Sequence, residues 1–208
     1  MWFIQFFKSS IGKKWLMAGT GCCLLLFLCS HAAGNATLFY SLALFQSYAN
    51  QLHSHPLIVS VFSIGLALIF VIHAITGILL TLQNRKARGH EYKVKTRTSK
   101  NSKASSTMIY SGLFILLFVL LHTYVVSFGD HGQIALTISY LFSSFYVIVF
   151  YITAFIILAI HLSHGFWSML QTFGVNHPRY NTLIRSLTYI VPAFFLLLFT
   201  AIPLLFLF

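Results

Sequence analysis

Acidic side chains are nearly missing: Glu91 and Asp130 are the only two in 208 residues. That scarcity excludes paired-carboxylate hydrolysis and all-carboxylate cages for Mg or Ca. Cysteine is scarce as well. Cys22, Cys23 and Cys29 fall in one apolar run without zinc-type spacing or a CxxCH haem-attachment motif, so they are expected to be small packing residues. No Gly-rich dinucleotide motif is present either. Charged residues of either sign make up 7% of the chain, against roughly 25% in soluble domains. With 58% hydrophobic residues, the chain cannot have water as its main solvent. What remains for chemistry is a set of ten histidines, and a net charge of +11 that calls for an anionic partner, either nucleic acid or lipid.

A helix needs about 20 mostly apolar residues to cross a bilayer. Five stretches qualify: Trp15–Phe39, Pro56–Leu82, Thr107–Phe128, Tyr146–Leu170 and Thr182–Leu207. The expectation is a single all-α membrane domain over residues 1–208, with apolar residues from Ile134 to Ser144 adding a short helix on the outer surface. The first stretch has the outline of a signal peptide, with Lys8, Lys13 and Lys14 before an apolar run ending in Ala32-Ala-Gly-Asn-Ala36. Its run continues to Phe39, and its removal would break the charge pattern below, so it is expected to be retained.

Orientation follows from Lys and Arg near the span ends. With the N-terminus inside, the inner segments hold Lys8, Lys13 and Lys14, then eight basic residues from Arg85 to Lys103, then Arg179 and Arg185. These are all thirteen basic residues, and the outer segments have none. The asymmetry predicts five spans, N-terminus in and C-terminus out, and it removes nucleic acid as the account of the charge. The loop Gln83–Ser106 is the one sizeable hydrophilic stretch, read both as a topology signal touching anionic lipid and as a docking surface for a cytoplasmic partner.

Ionisable groups inside spans are costly and mark function. Five histidines lie well inside apolar runs: His31, His73, His122, His161 and His164. The others, His53, His55, His90, His131 and His177, sit in loops or at ends. His31 lies 17 residues beyond Lys14 and His122 lies 19 beyond Lys103, roughly 25 and 28 Å along a helix. His73 lies 12 residues before Arg85, and His161 is 15 residues into its inward-running span. The first two therefore belong to the outer half and the second two to the inner half. Two imidazoles at one level on different helices suit the axial positions of one haem iron, and a four-helix bundle is where such sites are built. Zinc or copper usually takes three or four ligands. The expected architecture is thus a haem-binding four-helix bundle with a peripheral fifth helix, holding two non-covalent haem b groups. Gly77 and Gly165, each four residues after a histidine, are expected to let a macrocycle approach. His161 matches the depth of His73 better than His164 does. His164 is therefore expected to hydrogen-bond a haem propionate or quinone, or to be the alternative ligand.

These residues resemble a known family, the five-helix, two-haem cytochrome b subunit of succinate dehydrogenase and fumarate reductase. The segment from Ser9-Ser-Ile-Gly-Lys-Lys-Trp15 through Leu28-Cys-Ser-His31 is similar to that family's first helix. Pro56 with Ile72-His-Ala-Ile-Thr-Gly77, Leu121-His-Thr-Tyr124 and Ile160-His-Leu-Ser-His-Gly-Phe-Trp167 are similar to the next three. The resemblance implies His31 and His122 as ligands of the outer haem, and His73 and His161 as ligands of the inner one. It further implies a bacterial cytoplasmic membrane location. It adds flavoprotein and iron–sulfur partners on the cytoplasmic side, and electron transfer with membrane quinone, menaquinone or a related one. The dehydrogenase chemistry would then lie on the partner chains. Some members carry a glutamate two residues before the fourth-helix ligand; Ala159 stands there in this chain. Gln46, Asn50, His53 and His55 are candidates for the quinone pocket, though an ordinary solvated loop is the simpler reading. Two rival readings remain: a dihaem anchor for a hydrogenase, formate dehydrogenase or nitrate reductase, and a haem-free transporter or scaffold.

The charge pattern makes a direct prediction. Alkaline phosphatase fused after Phe208 should be active in cells, and the same enzyme fused within the Gln83–Ser106 loop should be inactive. The opposite pattern would reverse the orientation.

Overall fold

The computed structural model describes residues 5–7, 9–87, 103–128, 131–175 and 177–207. Helix accounts for 91% of them and no strand occurs among them, so the chain is all-α. From residue 9 onward, the α-helices among the described residues run in order: α1 (Ser10–Asn35), α2 (Leu42–His53), α3 (Pro56–Ala87), α4 (Lys103–Phe128), α5 (Ile134–Leu141), α6 (Phe145–Thr172) and α7 (Asn181–Leu204). Five segments, those of α1, α3, α4, α6 and α7, are long and apolar enough to cross a membrane. Many of their large apolar side chains are exposed, Phe62 at 76% and Leu197 at 73% among them. Such surfaces suit lipid rather than water.

Helix ends fall where local chemistry stops or starts them. The Ser9 and Ser41 hydroxyls accept from the Gly12 and Leu44 amides, capping α1 and α2. Pro56 opens α3, where its missing N–H costs nothing. Gly174, at φ 76°, closes α6: its own N–H bonds the Gln171 carbonyl, and the Val175 N–H reaches back to Leu170. This pair of bonds is the Schellman arrangement, and it needs a residue that tolerates the left-handed region.

Around the bundle, α1 packs on α3 and α6, while α4 packs on α6 and, more lightly, on α3. Helix α7 lies outside this ring, chiefly against α6. Its buried residues Ile184, Thr188, Pro192, Phe195, Phe199 and Ile202 recur every three or four positions, the single stripe of a helix with one packed face. At the basic end the Lys13 ammonium donates to the Gln83 side chain at 2.9 Å, joining the start of α1 to the end of α3. The densest packing lies at the other end. There Ala32, Leu38, Phe45, Ala49, Ile134, Phe142 and Tyr151 form one cluster with the far end of α7.

Three expectations need correction. The segment holding Gln46, Asn50 and His53 is a helix, α2, with Phe45 and Ala49 buried, and not a solvated loop. Cys23 and Cys29 are exposed on the surface of α1, so they do not pack the interior; Cys22 is half-buried. The hydrophilic loop is shorter than Gln83–Ser106, because α3 runs on to Ala87 and α4 begins at Lys103. The short outer helix expected between Ile134 and Ser144 is present as α5. Glu91, Asp130, His90, Lys8 and most of the basic loop lie outside the described residues, and so does the docking surface expected there.

Gln46 joins the two short helices. Its side-chain oxygen accepts from the buried Ala135 N–H at 2.9 Å, one of the donors that a helix start leaves without a partner. Its amide nitrogen donates to Asn50 at 2.7 Å. Gln46→Leu should therefore strand a buried N–H and destabilise the protein by about 1–3 kcal/mol. Thermal unfolding in detergent measures this, and an unchanged midpoint would contradict the assignment.

Candidate functional site

The five intramembrane histidines expected from sequence all line one cavity, of about 1950 Å³, between α1, α3, α4 and α6. Ordinary ligand pockets run to about 1,000 Å³, so this one is large enough for two sizeable guests.

At the level away from the basic end, His31 on α1 and His122 on α4 face each other with ring centroids 5.9 Å apart and planes at 88°. Each ring is braced by a phenylalanine one turn earlier on its own helix. Phe27 stacks on His31 at 5.4 Å and Phe118 on His122 at 5.6 Å. Phe199 of α7 adds a third contact to His31, and the Tyr151 hydroxyl stands 3.3 Å from His122 Nδ1. A metal bound on opposite sides by two imidazole nitrogens at about 2 Å holds their ring centroids about 6 Å apart. The observed separation, 5.9 Å, is close to that figure.

Nearer the basic end, His73 on α3 and His161 on α6 lie within electrostatic range of each other, and His164 lies within range of His161. Both rings are held through Nδ1 by a hydroxyl of the neighbouring helix: His73 by Thr20 at 3.0 Å, His161 by Ser111 at 3.0 Å. Beside each hydroxyl is a glycine. A Cβ at Gly21 would stand 3.4 Å from His73 Cε1, and one at Gly112 would stand 3.5 Å from His161 Cε1. Alanine would just touch the ring, and any longer side chain would displace it. Gly77 and Gly165 also line the cavity. A Cβ at Gly77 would meet only the Met17 side chain, and one at Gly165 would meet nothing within 4 Å.

The sequence reading missed Thr20, Gly21, Ser111 and Gly112. It also left open the fate of the other histidines. His53 lines the far end of the cavity, with its Nδ1 at 2.8 Å from the Ala49 carbonyl. His55 and His177 are exposed, His177 accepting from the Arg179 N–H at 3.2 Å. Among the described residues no three His, Cys, Asp or Glu side chains converge as metal-ion sites do. At the basic end the cavity is lined by Lys14, Arg85, Asn84, Ser168 and Gln171, a polar and cationic mouth on an otherwise apolar space.

The arrangement offers two levels of imidazole nitrogens around one largely apolar cavity, with a cationic end suited to carboxylates. No family model, no curated protein and no solved structure matches the chain.

Proposed function

We propose that the chain is a dihaem b-type cytochrome, the membrane anchor of a succinate:quinone oxidoreductase of the succinate dehydrogenase and fumarate reductase type. The observation that carries the reading is the convergence of five imidazoles on one cavity, with the His31 and His122 ring centroids 5.9 Å apart. In this reading His31 and His122 hold one haem and His73 and His161 the other, with α1, α3, α4 and α6 as the haem-binding bundle and α7 as the peripheral helix. A haem iron with two imidazole ligands supplies reversible one-electron transfer when bound.

The chain's own residues do the rest. The four helices line the chamber with mostly apolar side chains, and Phe27 and Phe118 stack on the outer rings. Gly21 and Gly112 keep space beside the inner rings. Lys14 and Arg85 at the mouth would meet the carboxylates of a bound macrocycle, and His164 and Gln171 add hydrogen-bonding capacity on the same side. Lipid chains are a poor alternative filling, because buried imidazoles and hydroxyls are costly against hydrocarbon.

The partner assignment rests on the sequence resemblance together with the basic inner loops, which favour a cytoplasmic-side partner over an outer one. The flavoprotein and iron–sulfur chains would dock on that side, and a membrane quinone would exchange electrons with the anchor. The location follows as a bacterial cytoplasmic membrane.

Purification of the chain with its native partners tests both parts. A reduced-minus-oxidised spectrum should show b-type bands with two haems per chain, and a flavoprotein with succinate dehydrogenase activity should co-purify. His73→Ala should remove about half of the haem. A spectrum without haem bands would end the cytochrome reading, whereas haem with a hydrogenase, formate dehydrogenase or nitrate reductase partner would overturn only the partner.

A further inference from the structure

The two hydroxyl–imidazole contacts are not isolated. Helix α1 reads Thr20-Gly-Cys-Cys-Leu-Leu-Leu-Phe27-Leu-Cys-Ser-His31, and α4 reads Ser111-Gly-Leu-Phe-Ile-Leu-Leu-Phe118-Val-Leu-Leu-His122. Both place a hydroxyl, then glycine at +1, phenylalanine at +7 and histidine at +11. Their neighbours repeat as well: His73-x3-Gly77-x4-Leu82-Gln83 on α3 and His161-x3-Gly165-x4-Leu170-Gln171 on α6. The hairpin α1–α3 and the pair α4–α6 are thus two copies of one unit facing each other across the cavity. Eleven residues are three helical turns, so in each copy the hydroxyl and the outer histidine share one stripe about 16 Å apart. One helix can serve both levels: it carries the outer histidine and also braces the inner histidine of its partner.

The direction of the hydrogen bonds follows from what each oxygen already does. Thr20 Oγ1 lies 2.7 Å from the Leu16 carbonyl, and Ser111 Oγ lies 3.1 Å from the Met108 carbonyl. A carbonyl only accepts, so each hydroxyl gives its one proton there and must receive from the ring. Nδ1 therefore carries the hydrogen in both His73 and His161. In His161 this leaves Nε2 with its lone pair and without the proton; His73 also bonds the Met17 carbonyl, a second acceptor beside the Thr20 hydroxyl.

We propose that Thr20 and Ser111 are positioning residues that fix the tautomer and orientation of His73 and His161, leaving Nε2 of each as the metal-binding nitrogen. The proposal rests on the dihaem reading. It adds a specific consequence: two residues on different helices, far apart in sequence, act on the same inner haem. An acceptor on Nδ1–H makes an imidazole a stronger donor to iron, which favours the oxidised metal. Its loss should raise the midpoint potential of that haem.

The test uses the full chain purified with its native partners, with optical redox titration, low-spin EPR and haem content as readouts. Thr20→Val keeps the shape and removes the hydroxyl, Ser111→Ala does the same on the other side, and Thr20→Ser restores the hydroxyl. Both deletions should weaken the hold on the inner haem about 10- to 100-fold. They should also move the EPR signal and raise the potential of the same haem, by about 59 mV for each tenfold loss of preference for the oxidised form. The haem lost in His31→Ala should keep its wild-type signal in both variants, and Thr20→Ser should behave as wild type.

Unchanged potentials and EPR in both deletions would overturn the proposal while the dihaem reading stands. So would shifts in different haems, or a Thr20→Ser variant as impaired as Thr20→Val. If Thr20→Val fails to fold, Ser111→Ala decides by the same criteria. A wild-type preparation without haem would sink the reading beneath the proposal as well.

Discussion

An imidazole inside a membrane needs a partner, because the surrounding hydrocarbon offers no hydrogen bonds and charge is expensive there. This chain gathers five of them, half-buried, around one space, in a sequence with almost no acid to pair them. The rest of the architecture follows from accommodating that demand. Hydroxyls on α1 and α4 take one nitrogen of each inner ring, and aromatic side chains stack on the outer rings. Packing is concentrated at the end where α2, α5 and the ends of α6 and α7 meet, which leaves the middle of the bundle open for a guest.

Much of the fold was legible because the bilayer reduces the problem to length and polarity. All five predicted spans correspond to helices, with boundaries within a few residues, and parity of the spans ordered the histidines by depth without any contact information. The meeting of His31 and His122 is the kind of pairing that such an argument reaches, since depth and helix direction come directly from sequence positions. Helix α2 was not legible in that way. Its run Leu42–His53 mixes Gln46, Asn50 and His53 with apolar residues, and only the packing of Phe45 and Ala49 against the outer cluster gives those polar groups a helical place. Cysteines mislead for a related reason: a small apolar residue suits a lipid-facing surface as well as a packed one, and composition does not separate the two.

The hydroxyl–glycine pairs carry a different lesson. Thr20-Gly21 and Ser111-Gly112 look unremarkable in isolation, since Thr, Ser and Gly are common in spans for helix packing. Their signal is the repeat, eleven residues before a histidine in both copies, which is visible only when the two halves of the chain are aligned with each other. The contact across helices then explains why the spacing recurs. Gly77 and Gly165, nearer to their histidines in sequence, drew attention first but touch no ring.

The central claim is that the cavity holds two flat macrocycles, each gripped from both faces by one pair of histidines. An experimental density map of the purified chain in lipid tests it most directly. The account predicts two planar features, one between His31 and His122 and one between His73 and His161, each with continuous density to both rings. Acyl chains in that space, or helices closed over it with the imidazoles turned outward, would contradict it.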